Sequence, residues 1–168
     1  MPKNYMTTGC YALMRAELKD LLYVKRPGMS VECRIYAEMG DRSENADYQY
    51  AKRALRKFDS RIRYLTKKLE DAVVVDPVEQ GKIAAGRVLF GCTVTFETEE
   101  GEEKTYSIVG EDEYNASTGL ISWVSPIGRA LLKAREGDVV TFKAPGGERE
   151  LEILKVEYVP ISAYLNRR

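Results

Sequence analysis

Apolar residues in the first half of the chain recur at alternating spacings of four and three. The clearest run extends from residue 51 to residue 69 and consists of Ala51, Leu55, Phe58, Ile62, Leu65 and Leu69. This spacing is typical of the a and d positions of a heptad, and so narrow an apolar stripe needs a second helix to cover it. The pattern predicts the second arm of a helical pair.

The upstream segment supplies the first arm. Thr7 or Thr8 is a suitable cap for its start, and Pro27-Gly28 should kink it or open a short break. Gly40 permits the chain to reverse before the second arm. Residues from about 8 to about 75 are therefore predicted to form an antiparallel hairpin with arms of roughly 30 residues, or about 45 Å. The apolar positions of the first arm are Tyr11, Met14, Leu18, Leu21, Val31 and Ile35.

After Pro77 the apolar period changes to two, which is typical of strands. Pro77 ends the second helix, the Val73–Val75 run is its exit, and a linker continues to about Gly86. A short helix over 128–134 should begin with Ser125 as N-cap and Pro126 at the first position. The strands are predicted over residues 88–96, 104–109, 120–124, 139–143 and 151–159.

These elements define an α+β protein with two domains. Residues 1–77 form the helical coiled-coil hairpin, and residues 78–168 form an antiparallel sheet with one short helix. Within the hairpin, the reversal at Gly40 disfavours a purely structural coil that pairs between chains, so we expect a monomer.

Composition narrows the possible chemistry. The net charge is zero, which argues against non-specific coating of nucleic acid, and the chain has no histidine. Without histidine, Ser-His-Asp and Cys-His catalysis and the commonest zinc sites are excluded. Cys10, Cys33 and Cys92 are far apart and form no CxxC pair. We interpret them as reduced thiols of a cytoplasmic protein, and no apolar run suggests a signal peptide or a membrane span.

Two acidic residues flank the predicted reversal, in the order Asp41-x-x-Glu44. The spacing fits a capping box, with Asp41 as N-cap and Glu44 at N3 of the second helix. It also fits a pair of carboxylates presented at a turn, and Mg²⁺ needs few protein carboxylates because it retains several waters. The spacing alone favours capping and leaves the second interpretation open.

The whole segment at the reversal is Gly-Asp-Arg-Ser-Glu-Asn-Ala-Asp-Tyr-Gln-Tyr, residues 40–50. It resembles the tip motif of the Gre family of transcript-cleavage factors, and within that family GreB more than GreA. The similarity continues through residues 61–65, Ser125-Pro126, residues 129–132 and Gly137-Asp138, so it covers nearly the whole chain in family order. The tail from Ile161 to Arg168 extends past the usual end.

The resemblance implies a fold and an activity. The second domain would be FKBP-like and would bind bacterial RNA polymerase, with Pro126 a candidate contact. The hairpin would enter the secondary channel, where Asp41 and Glu44 would help to hold a Mg²⁺ ion shared with the polymerase active site and Ser43 would orient water. Backtracked nascent RNA would then be cleaved near its 3′ end. The protein would be a cofactor of that cleavage and not an enzyme itself.

A basic stripe follows the acidic turn on the second helix. Arg53, Arg56 and Arg63 occupy outward heptad positions, and Lys52 lies beside them. Such a stripe is either an ordinary solvated face or a surface for phosphates. The resemblance favours contact with the extruded RNA 3′ end.

Three other functions stay open at this point. A Gre-like protein can enter the channel and inhibit or compete without cleavage, although the presence of Asp41 and Glu44 argues against this. An FKBP-like sheet can also belong to a peptidyl-prolyl isomerase, and a heptad hairpin to a structural module.

Overall fold

The computed structural model describes residues 3–40 and 45–166. The chain separates into two compact units, one formed by residues 14–71 and the other by residues 1–13 together with 72–168. The sequence interpretation placed a single boundary after residue 77. It therefore assigned to the hairpin two segments that the structure groups with the sheet.

The helical unit contains two arms. The first arm comprises α1 (Thr8–Asp20), a π-helical turn (Leu21–Lys25) and α2 (Arg26–Glu38), and the second is α3 (Ala46–Glu70). Residues 8–13 of α1 are grouped with the other unit. Pro27 lies in the first turn of α2, where its missing N–H is tolerated, so it opens no gap in the first arm.

The π-helical turn changes which side of the first arm is covered. A π turn adds one residue to the helical repeat, so every later position moves around the helix axis. Val31 and Ile35 are therefore 45% and 48% exposed, and their prediction as stripe residues is wrong. The half-buried residues of α2 are instead Arg26, Met29, Cys33, Tyr36 and Ala37.

The heptad of α3 agrees with the structure. Ala51 and Leu65 are fully buried, and the other four predicted seam residues are half-buried. Ion pairs also connect the arms, since Arg61 pairs with Glu17 and Arg26 pairs with Asp59. The hairpin is thus held by a thin apolar seam with polar contacts beside it.

The second unit is built on a five-stranded sheet. In the order in which the strands pair, these are β5 (Leu120–Ser122), β4 (Glu103–Val109), β3 (Thr93–Thr98), β7 (Gly147–Glu157) and β6 (Val139–Ala144). Its core includes Val94, Phe96, Ile108, Leu131 and Ile153. The α+β class is confirmed, with the difference that β5 runs parallel to β4. The same unit contains the helices α4 (Pro77–Ala84) and α5 (Pro126–Leu131).

Helix α4 lies in the segment interpreted as a linker. The Asp76 side chain accepts hydrogen bonds from the N–H groups of Val78 and Glu79, which caps the helix start. Gly81 faces Tyr158, and a Cβ at this glycine would lie 2.5 Å from the Tyr158 Cβ. The Tyr158 hydroxyl in turn accepts from Leu89 N–H and donates to the Arg87 carbonyl. This close contact allows an eight-residue helix to pack where the sequence predicts a loop.

A second, two-stranded parallel sheet pairs β1 (Asn4–Thr7) with β2 (Ala72–Val75). The run interpreted as the exit from the second helix is therefore a strand. The pair joins the segment just before α1 to the segment just after α3. It explains why the chain termini of the hairpin belong to the sheet unit.

A buried carboxylate fixes the end of β1. Glu113, which is 1% exposed, accepts hydrogen bonds from the N–H groups of Thr7 and Gly110, both at 3.0 Å, and from the Thr7 hydroxyl. The Thr7 hydroxyl also accepts from Cys10 N–H and so caps α1, as predicted. Burial raises the pKa of the Glu113 carboxyl, while the bonds from Thr7 and Gly110 oppose that rise.

The C-terminal tail returns to the same region. Asn166 N–H donates to the Asp112 carbonyl at 2.9 Å. Gly9 faces Ala163 so closely that a Cβ at Gly9 would lie 2.8 Å from the Ala163 Cβ. The tail therefore lies across the first turn of α1.

Removal of the buried carboxylate should destabilise the sheet unit. Glu113→Ala leaves the buried N–H groups of Thr7 and Gly110 without an acceptor, at about 1–3 kcal/mol each, so we expect the free energy of unfolding to fall by about 2–6 kcal/mol. Urea unfolding followed by fluorescence measures this change. Glu113→Gln retains one acceptor oxygen and should lose much less; an equal loss would mean that charge and not hydrogen bonding matters.

The parent and Glu113→Gln also test the raised pKa of the Glu113 carboxyl. A carboxyl whose pKa is raised in the folded state contributes its full stabilisation at pH values below its unfolded-state pKa, here near 4.5. That contribution is lost as the pH rises through the folded-state pKa. The free energy of unfolding of the parent should thus increase relative to Glu113→Gln as pH falls from neutral. If the free energies of unfolding of the two proteins change in parallel with pH, the raised pKa is contradicted.

A methyl group at Gly9 should displace the tail. Gly9→Ala overpacks the contact with Ala163, and we expect faster chymotrypsin cleavage at Tyr164 as the tail is released. The double variant Gly9→Ala with Ala163→Gly should restore resistance. Gly28→Ala is the matched control, because a Cβ there meets no atom within 4 Å. If Gly9→Ala resists as the parent does, the tail is not held by this contact.

Candidate functional site

Asp41, Ser43 and Glu44, the predicted tip residues, lie outside the described residues. The structure does describe both sides of the reversal. Helix α2 ends at Glu38, and α3 begins at Ala46 with Asn45 as its N-cap. The site can therefore be judged from the residues that lead into it and out of it.

Asn45 connects the two arms at the reversal. Its side-chain oxygen accepts from Tyr48 N–H at 3.0 Å, and its Nδ2 donates to the Tyr36 carbonyl at 2.8 Å. The N-cap and N3 positions of α3 are thus Asn45 and Tyr48, so the capping-box interpretation of Asp41 and Glu44 is wrong. The signal that we overlooked was Asn45 directly before the periodic segment, with the acidic Asp47 in the first turn.

The predicted basic stripe lies on the exposed side of α3. Lys52, Arg53, Arg56 and Arg63 are all exposed. Among the described residues, Arg53 and Arg56 form no hydrogen bond or ion pair. The Lys52 ammonium lies 5.4 Å from the centre of the Tyr48 ring. The first two arginines of α3 are therefore available for an external anion.

Other arginines of the hairpin have structural partners. Arg61 forms a bidentate pair with Glu17, at 2.8 and 3.0 Å, and neither side chain is more than 18% exposed. The Arg26 guanidinium bonds to Asp59 and holds the pKa of that carboxyl below its usual value. The nearby positive charge of Arg63 acts on Asp59 in the same direction. On α3, the arginine that pairs with the first arm, Arg61, is thus a different residue from the arginines without a partner among the described residues, Arg53 and Arg56.

The charge of α3 is strongly unequal. Residues 46–70 include eight lysines and arginines but only three acidic residues. One of the acids, Asp59, is engaged by Arg26. A net positive field therefore surrounds the outward side of the helix although the whole chain is neutral.

Pro126 is exposed at the start of α5. Ser125 accepts from Gly128 N–H at 3.1 Å and donates to the Ser122 carbonyl at 2.6 Å, so the junction is an N-cap, as predicted. Gly128 is required here because a Cβ would lie 2.3 Å from the Ser122 carbonyl oxygen. Helix initiation explains Pro126 structurally, and its exposure leaves it accessible to a partner.

Residues 3–40 and 45–166 contain no group of three or more metal-ligating side chains arranged to hold an ion. In the described part of the chain, no helix has the length and apolar character needed to cross a membrane.

These features define a class of protein: a helical hairpin with a free basic side, joined to a sheet unit. Two family models match the chain, "Transcription elongation factor, N-terminal" over residues 4–74 and "Transcription elongation factor, GreA/GreB, C-term" over residues 83–158. The chain belongs to the GreA/GreB family of transcription elongation factors.

Individual relatives agree with this family. The chain is 47% identical over 159 residues to transcription elongation factor GreB of Neisseria meningitidis serogroup B, covering 95% of this chain and 96% of that protein. It is 45% identical to GreA of Alkalilimnicola ehrlichii, covering 94% and 99%. The solved GreA factor homolog 1 of Thermus thermophilus is 24% identical, covering 93% and 99%, with a TM-score of 0.42. The GreB-like resemblance is confirmed.

Proposed function

We propose that this protein stimulates Mg²⁺-dependent cleavage of backtracked nascent RNA by bacterial RNA polymerase, and so rescues arrested elongation complexes. Membership of the family supports the role in elongation. The observation that carries the cleavage role is the capping of α3 by Asn45, because Asp41 is then not the N-cap residue of that helix. Two carboxylates at a reversal are then best explained by a ligand.

The chemistry assigns complementary roles to protein and polymerase. A bound Mg²⁺ supplies charge stabilisation for the attacking or leaving oxygen in phosphodiester hydrolysis. Asp41 and Glu44 would hold one side of that ion, and Ser43 would orient water beside them. This chain is therefore a cofactor of the polymerase's own nuclease activity. It has no histidine to serve as a general base.

The basic stripe would hold the extruded RNA. Arg53 and Arg56 are exposed and unpaired among the described residues, and Lys52 and Arg63 extend the positive surface along α3. Phosphates bound there would position the 3′ segment of the RNA relative to the carboxylates. The sheet unit would bind polymerase, with Pro126 as the candidate contact, and the protein would act as a monomer.

Loss of either tip carboxylate should abolish stimulated cleavage. Asp41→Ala or Glu44→Ala removes a metal ligand but not the cap of α3, so polymerase binding and helicity should be retained. Cleavage of labelled RNA in backtracked complexes measures activity, and a competition assay measures binding. Asp47→Ala is the control for a nearby acid. If either tip variant cleaves as the parent does, the metal-delivery role is wrong.

Loss of the free arginines should affect long extruded RNA most. Arg53→Ala with Arg56→Ala removes two phosphate contacts, so cleavage should slow more on long than on short backtracked transcripts. The effect should shrink as added salt weakens the parent's electrostatic contact. Lys104→Ala with Lys155→Ala removes the same charge from the sheet unit and should have no such effect. Equal rates at low salt on the long transcript would make the stripe a solvated surface only.

A further inference from the structure

Exposed tyrosines are interleaved with the basic stripe. Tyr50, Lys57 and Tyr64 lie seven residues apart, at the same outward heptad position of α3. Arg53 follows Tyr50 by three residues and Lys57 follows Arg53 by four, so these side chains share one side of the helix. Alternating aromatic and cationic groups are the composition of surfaces that bind single-stranded nucleic acid.

The rings of these tyrosines are not equally available. The Tyr64 ring has the Arg61 guanidinium at 5.2 Å and the Lys68 ammonium at 5.7 Å from its centre. The Tyr48 ring has Lys52 at 5.4 Å. Tyr50 is 61% exposed, and no cation or ring of the described residues lies over it.

We infer that Tyr50 is a stacking platform for one nucleobase of the extruded RNA, with Arg53 and Lys57 holding the phosphates beside that base. The inference rests on the proposed function, because that function brings RNA to this side of α3. A free aromatic face binds any base, and stacking on it contributes about 1–3 kcal/mol per base. Tyr50 therefore adds a base contact to a surface that otherwise binds only phosphates.

The position of Tyr50 on the helix suits this role. It lies in the second turn of α3, about 6 Å along the axis from Ala46 at 1.5 Å per residue. Arg53 and Lys57 follow about 4.5 and 10.5 Å further along. An RNA strand that runs along the stripe from the reversal would meet Tyr50 first and then the two cations. Tyrosine is also a poorer helix former than alanine, so helix stability alone does not favour it at an exposed site.

The test compares a base contact with a phosphate contact. The full-length parent, Tyr50→Ala and Tyr50→Phe are each mixed with polymerase complexes backtracked by several nucleotides, and cleavage rates are measured at subsaturating protein. The transcripts carry either normal or abasic nucleotides in the extruded segment. Tyr114→Ala is the matched control, because Tyr114 is 46% exposed but lies among acidic residues of the sheet unit.

We expect Tyr50→Ala to cleave the normal transcript about five-fold or more slowly than the parent, and Tyr50→Phe and Tyr114→Ala to match the parent. On the abasic transcript, cleavage with the parent should slow to the rate that Tyr50→Ala gives on the normal transcript. Cleavage with Tyr50→Ala should be no slower on the abasic transcript than on the normal one. If the parent stimulates cleavage and Tyr50→Ala stimulates it equally on the normal transcript, the stacking role alone is overturned. An equal loss for Tyr50→Ala on both transcripts would also overturn it, because the contact would not involve a base. A parent that stimulates no cleavage would overturn the proposed function and this inference with it.

Discussion

The hydrogen bonds of one buried carboxylate organise the place where the hairpin enters and leaves the sheet unit. Glu113 is buried, yet it is paired with two backbone N–H groups and the Thr7 hydroxyl. An unpaired carboxyl in this position would be costly, so the loop that carries Glu113 and the strand that carries Thr7 can only be placed together. The β1–β2 pairing and the cap of α1 both depend on this arrangement, because Thr7 belongs to each of them.

A single extra residue per turn decides the exposed surface of the first arm. Leu21–Lys25 form a π turn, and it shifts the phase of all later residues of that arm. Arg26 consequently reaches Asp59, while Val31 and Ile35 are left exposed. Because α3 has no such turn, its heptad stays regular and its outward positions keep their cations together. The basic surface of the protein thus belongs to the second arm.

The arginines of the hairpin fall into two groups, those with a partner in the other arm and those without one among the described residues. Arg26 and Arg61 join the arms, and Arg61 also covers the Tyr64 ring. Arg53 and Arg56 have no such partner among the described residues. This division follows from position, since the paired arginines lie beside the seam and the free ones on the outward side. The cations that stabilise the hairpin are therefore different residues from the exposed cations that we propose as RNA contacts.

The sequence by itself determined the elements whose physics is local. The heptad of α3, the period-two strands, the Ser125 cap and the tip motif are all patterns of neighbouring residues, so the fold class, the family and the outward basic stripe followed from them. Tertiary structure alone decided the contacts between distant segments. The β1–β2 pair, Glu113 with Thr7, Gly9 against Ala163, and α4 packed through Gly81 join residues far apart in the chain, and no periodicity encodes such partners. The phase of α2 also depended on packing, because several local arrangements satisfy the same spacing. The Asn45 cap had a local signal, an asparagine directly before the periodic segment of α3, and its contact with the Tyr36 carbonyl of the opposite arm reinforces that choice.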